Sequence, residues 1–157
     1  MKTVIIYISS HGTTETVSKK IAEKISEEVE IVDLQKNNKI DLTSFDRVIL
    51  GASIHIGKVH KKTQSFIEKY QRQLLTKELG LFLCCMETGT KAEEQFEQAF
   101  PLALRVYAKA NAMLGYEYLL EKMGFFEKMM VKKITGKDQS FSKIDEEAID
   151  AFVSILK

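Results

Sequence analysis

The sequence predicts one α/β domain, a doubly wound five-stranded parallel sheet with helices on both faces. Three observations carry that expectation. Short β-branched runs alternate five times with segments of helical period. One run, Gly80–Met86, is apolar throughout, as a central strand buried on both faces must be. The 157 residues are 45% hydrophobic with a single Pro and eight Gly, which suits one packed domain over 1–157 without a long linker.

The elements follow in order. Thr3–Ile8 reads as the first strand. Thr14–Val29 reads as a helix, with Val17, Ile21, Ile25 and Val29 four residues apart. Glu30–Leu34 is a short strand and Asn37–Asp41 a polar connection. Asp46–Gly51 is the third strand, centred on Arg47-Val48-Ile49-Leu50. Val59–Leu75 is helical, with Phe66, Ile67, Tyr70 and Leu74 on one face. Ala92–Ala110 is helical, and Pro101 should kink or divide it. Ala112–Tyr118 is the fifth strand. Ile144–Leu156 closes the chain as a helix, with Ser142 as N-cap and Asp145 three residues later. Between them Leu119, Met123, Phe126, Met130 and Ile134 share one face, with lysines at 122, 128, 132 and 133. This extra amphipathic helix, at about 119–135, either packs on the domain or offers a surface to a membrane, quinone or partner protein.

In a sheet of this kind, ligands sit beyond the carboxyl ends of the strands, where strand order reverses. The loops to inspect follow strands one, three and four. Ser9-Ser10-His11-Gly12-Thr13-Thr14 follows a strand and opens a helix. Its hydroxyls can donate to phosphate oxygens, Gly12 permits a tight turn, and the helix start favours an anion. The bland alternative is a Ser/Thr-rich helix cap with no ligand. A dinucleotide fingerprint needs three spaced glycines, and this loop has one; a P-loop needs Gly-Lys-Ser/Thr, which is absent. A receiver-type phosphorylation site needs acids here, and only Glu15 is near. A Cys-x5-Arg phosphatase loop fails because Thr90 and Lys91 stand where Arg is required.

The second loop is Gly51-Ala52-Ser53-Ile54-His55-Ile56-Gly57-Lys58. Its small residues allow close approach to a flat ring that Ile54, His55 and Ile56 can cover. The third is Met86-Glu87-Thr88-Gly89-Thr90, a source of backbone donors. His60 reads as a helix start, and three scattered histidines without clustered acids give no metal site. Cys84 and Cys85 are neighbours, which makes neither a disulfide framework nor a zinc site; they read as core residues.

These loops resemble the flavodoxin family. The first matches its phosphate-binding pattern Ser/Thr-x-Thr-Gly-x-Thr, with His11 in place of the usual first Thr. The resemblance implies a flavodoxin-like fold and an FMN cofactor. Ser9, Ser10, His11, Gly12, Thr13 and Thr14 would hold its phosphate. Ala52, Ser53, Ile54, His55, Ile56 and Gly57, with Met86, Glu87, Thr88 and Gly89, would sandwich the isoalloxazine. A narrower resemblance is to the menaquinone-dependent protoporphyrinogen oxidase branch, through Phe45-Asp46-Arg47-Val48-Ile49-Leu50-Gly51-Ala52-Ser53-Ile54 and Gly57-Lys58-Val59-His60. Phe125–Lys133 resembles the aromatic, basic helix of that branch. The branch implies an oxidoreductase that passes electrons from a reduced substrate through FMN to a quinone, with a porphyrin as substrate. The chain departs from it after strand four, where Glu87–Glu97 is acidic rather than basic. The alternative is a small electron-transfer flavodoxin with a redox partner protein. Those carriers are strongly acidic and stack Trp or Tyr on the flavin, whereas this chain has no Trp and no Tyr in either ring loop.

Net charge is +1, but it is unevenly spread. Lys58–Lys77 holds six Lys/Arg against one acid, and Leu119–Lys143 six Lys against three acids. Ile21–Asp46 reverses the balance, with seven acids against three Lys. These are ordinary solvated faces or a basic patch for an anionic substrate or membrane surface. No nucleic-acid partner is expected. With neither a signal-peptide pattern nor a spanning apolar run, the chain is expected in the cytoplasm, including the inner face of the membrane as a peripheral position.

Overall fold

A computed structural model describes residues 1–9, 11–118, 124–136 and 140–157. Five parallel strands form the central sheet: β1 (Lys2–Tyr7), β2 (Glu28–Asp33), β3 (Arg47–His55), β5 (Glu78–Cys84) and β6 (Ala110–Met113). Their spatial order is β2-β1-β3-β5-β6, so the winding direction reverses between β1 and β3. A two-residue strand, β4 (Lys58–Val59), folds back antiparallel on the end of β3.

Alternation along the strands builds two cores. Val4, Ile6, Val48, Leu50, Leu81 and Leu83 face α2 (Lys61–Leu74), α3 (Gly89–Ala99) and α4 (Leu102–Tyr107). Ile5, Ile49, Phe82 and Cys84 face α1 (Thr13–Lys24) and α6 (Glu146–Leu156). Pro101 divides the third helical segment into α3 and α4, as its missing N–H requires.

Several boundaries differ from the sequence expectation. α1 ends at Lys24, not Val29, because Ile25 turns extended (φ −91°, ψ 126°) and Val29 pairs with Thr3 in the sheet. The helical spacing of Ile25 and Val29 is overridden by strand pairing. The third strand continues past Gly51 to His55, so most of the expected second loop is sheet. The segment Ala112–Tyr118 is not one strand. Gly115, at φ 87°, breaks it into β6 and β7 (Gly115–Tyr118), and β7 pairs antiparallel with β8 (Phe141–Ile144). Ser142 therefore lies in β8, and Asp145 caps α6 by accepting from the Ala148 N–H at 2.9 Å. The amphipathic segment contains α5 (Phe125–Thr135). Leu119 and Met123, expected on the same face, lie outside the described residues.

At the amino ends of the strands Arg47 is 2% exposed. Its guanidinium donates to Glu78 Oε1 at 2.7 Å, Glu27 Oε2 at 2.9 Å and the Leu156 carbonyl at 2.5 Å. Asp46 Oδ2 accepts from the Lys2 N–H at 2.7 Å. This ionic cluster locks strand and helix ends together at the side of the sheet opposite the candidate site.

Candidate functional site

The carboxyl ends of β1, β3 and β5 open on one cleft beside the reversal point. Four walls build it.

The first wall is the loop into α1. Gly12 adopts φ 94°, where a Cβ is disfavoured. Its N–H donates to Ser9 Oγ at 2.8 Å, and its carbonyl accepts from the Thr16 N–H and hydroxyl, both at 2.9 Å. The tight turn brings Ser9 and His11 to the cleft at the positive end of the helix. Thr14 is buried, and Thr13 Oγ1 donates to the Glu117 carbonyl at 2.9 Å. Ser10 lies outside the described residues.

The second wall is the β3–β4 hairpin. Ser53, Ile54, His55, Ile56 and Gly57 line the cleft. Ile56 (φ 51°) and Gly57 (φ 72°) form a two-residue turn with both residues left-handed, the geometry that matches strand twist. Ala52 lies wholly in the core. Gly51 is covered by the Phe82 ring, so its missing side chain serves packing rather than approach to a ligand.

The third wall is Met86 and Glu87. Thr88 and Gly89 start α3 and stand off the cleft.

The fourth wall was not visible in the sequence. Tyr116, Glu117 and Tyr118 of β7, Gln95 of α3, and Glu127, Met130 and Ile134 of α5 all line the cleft. The Tyr118 hydroxyl donates to Met86 Sδ at 3.2 Å. Burial, then Tyr116 and Glu87, push the Tyr118 phenol above its ordinary pKa. The alternation of Tyr116 and Tyr118 is the one local sign that both share a strand face. Aromatic side chains thus reach the cleft from β7, although neither expected ring loop carries one.

Cys84 and Cys85 floor the cleft as free, buried thiols. Burial is the main cause that raises both pKa values, which keeps them protonated and unreactive. His60 caps α2, its Nδ1 accepting from the Lys62 N–H at 3.0 Å. His11 and His55 meet edge to face with ring centroids 4.8 Å apart. His11 Nε2 stands 2.8 Å from Glu127 Oε2. Burial, then the neighbouring His11, hold His55 below the usual imidazole range, partly offset by Glu127.

The donor set suits a polar ligand. His11 Nδ1 and Gln95 Oε1 are buried with no hydrogen-bond partner among the described residues, and both residues line the cleft. Unpaired buried polar atoms are destabilising, so such groups generally await a partner. The cavity is about 260 Å³, just below the ~300–1,000 Å³ of typical small-molecule sites.

The comparisons agree with this architecture. The profile of the flavodoxin domain family matches residues 4–144. Protoporphyrinogen IX dehydrogenase [quinone] of Escherichia coli (strain K12) is 27% identical over 77 residues, 47% of this chain and 42% of that protein. The chain thus matches less than half the length of that relative. Among solved structures, oxidised flavodoxin 1 of Bacillus cereus superposes with a TM-score of 0.57 at 16% identity, covering 99% of this chain and 95% of that one. A short-chain flavodoxin associated with a PDU bacterial microcompartment gives a TM-score of 0.60 at 14% identity, over 99% and 96% of the two chains. At such identities these structures speak for the fold alone. The family match covers most of the chain, and the protein belongs to the flavodoxin domain family.

Proposed function

We propose that the cleft binds FMN and that the protein is a redox protein, an oxidoreductase that passes electrons from a reduced substrate to a quinone. The observation that carries the cofactor is the cleft itself: a Gly12 turn at a helix start, at the strand-order reversal, with unpartnered polar atoms facing in. Ser9, Ser10, the backbone of 11–13 and Thr14 bind the phosphate through neutral donors and the helix field, without Lys or Arg. Ser53 to Gly57 and the Met86–Glu87 turn, joined by Tyr116 and Tyr118, surround the ring and exclude water. A bound flavin supplies the hydride and electron chemistry; the protein supplies position and electrostatics.

The substrate side of the reading rests on α5. Phe125 and Phe126 are 72% and 78% exposed, beside exposed Lys128, Lys132 and Lys133. Apolar and cationic groups together suit a quinone, a porphyrin with its propionates, or an anionic lipid surface. No helix among the described residues is long and apolar enough to cross a membrane. The test is anaerobic incubation of FMN-loaded protein with protoporphyrinogen and a quinone analogue. Flavin-dependent porphyrin formation supports the oxidase reading, and its absence removes it.

A second reading has its own support. Glu93, Glu94 and Glu97 form an exposed acidic face on α3, the charge an electron carrier presents to a basic reductase. Reduction of the flavin by a reductase, with no turnover of porphyrinogen, selects the carrier.

A further inference from the structure

Three side chains from three separated elements converge at the cleft mouth. His11 comes from the loop after β1, His55 from the end of β3 and Glu127 from the first turn of α5. Their ligand-type atoms all lie within 4.8 Å of one another. His11 Nε2 and Glu127 Oε2 are 2.8 Å apart, yet neither makes an aligned hydrogen bond among the described residues. His11 Nδ1 is likewise buried without a partner. A phosphate-binding role for this loop does not call for an acid here, since Glu127 would repel an anion.

We propose that His11, His55 and Glu127 form a site for one divalent transition metal of the zinc class, and that the metal clasps α5 against the cleft. Two imidazoles and a carboxylate are the donors that borderline metals choose, in the three-ligand pattern that leaves a fourth position for water. Zinc bonds of ~2.0–2.2 Å place tetrahedral ligand atoms roughly 3.3–3.5 Å apart, so small side-chain rotations close the set around an ion. Cys84 and Cys85 line the same cleft, but burial keeps them as thiols, and the ligand form is the thiolate. His60 is excluded because its Nδ1 caps α2. The cation would also offset the Glu127 carboxylate and leave one net positive charge at the mouth.

The proposal does not depend on flavin, and its test uses none. The 157-residue protein, stripped with chelator, is titrated with Zn²⁺ by calorimetry and with Co²⁺ by visible absorption. The expected result is one equivalent bound at micromolar affinity or tighter, with slower amide exchange in α5 on binding. Glu127→Gln and His55→Ala should each weaken binding at least tenfold. His60→Asn, which preserves the helix cap, should leave it unchanged. Wild type with no binding below millimolar metal overturns the site. So does undiminished affinity in Glu127→Gln, or a cobalt–thiolate charge-transfer band showing cysteine ligation. Circular dichroism of each variant separates lost ligation from lost folding.

Discussion

Gly51 of β3 lies directly beneath the ring of Phe82 on β5, its register partner in the neighbouring strand. A Cβ at this position would overlap the ring, and Phe82 is itself wedged edge to face against Phe152 of α6 at a centroid distance of 6.2 Å. Gly51→Ala should destabilise the protein by about 1–3 kcal/mol through overpacking. Scanning calorimetry should show the lower Tm, and Phe82→Leu in the same chain should recover part of it. An unchanged Tm in the single variant would mean that the ring has room to move.

Arg47→Met should lower stability by about 2–3 kcal/mol, the scale of lost hydrogen bonds to charged groups. It strands Glu27 and leaves Glu78 and the Leu156 carbonyl only their longer contacts to Lys109 Nζ, at 3.4 and 3.5 Å. The two acids retain some contact with water, 23% and 35% of each side chain being exposed, which keeps the loss below that of a fully buried broken pair. Urea denaturation measures the change. Ligand binding at 15 °C should be unaffected, because Arg47 lies at the end of the strands away from the cleft.

Ile56→Asn should stabilise the apo-protein and weaken flavin binding. Ile56 holds φ 51°, which a β-branched residue adopts only under strain, and it is 50% exposed at the cleft mouth. Asn-Gly is the preferred pair for such a turn. A gain of about 1 kcal/mol in urea unfolding, with a several-fold weaker Kd for FMN, is the expected pairing. If affinity is unchanged, the Ile56 side chain plays no part in covering the ligand.

Alkali should destabilise the protein before it exposes the thiols. Burial raises Tyr7 from 10.0 to about 12, and raises Cys84 and Cys85 above their ordinary 9.0. The folded chain keeps these protons while the unfolded chain releases them, so stability is full below about pH 9 and falls as pH rises from there through about 12. Urea midpoints at pH 7, 9 and 10.5 should decline in that order. Iodoacetamide at pH 8 should label the native thiols far more slowly than those of the denatured chain.

Much of this fold was readable because its signals are local. The alternation of β-branched runs with helical periods specified the succession of elements along the chain, and Pro101 marked a real division. What failed depended on distant pairing. Nothing near Ile25 says that Val29 will pair with Thr3, and nothing near Leu114 says that Tyr116 will pair with Lys143 rather than extend β6. The site divides in the same way. The Ser9–Thr14 loop and the hairpin at 53–57 are contiguous and were legible. Glu127, Tyr118 and Gln95 reach the cleft from far along the chain. The stretch Asp46–Ile54 that resembles the oxidase branch proves composite. Asp46 and Arg47 hold strand ends together, Gly51 accommodates Phe82, and Ser53 and Ile54 face the cleft. Much of that motif therefore records the demands of the fold rather than of a substrate.

Titration of FMN with the purified protein decides whether the cleft is a flavin site. The expected result is quenching of flavin fluorescence with a one-to-one end point, a shifted visible spectrum, and a Kd weakened at least tenfold by Gly12→Val, which forces a β-branched residue into the φ 94° turn. Undiminished free-flavin fluorescence in excess folded protein would contradict it.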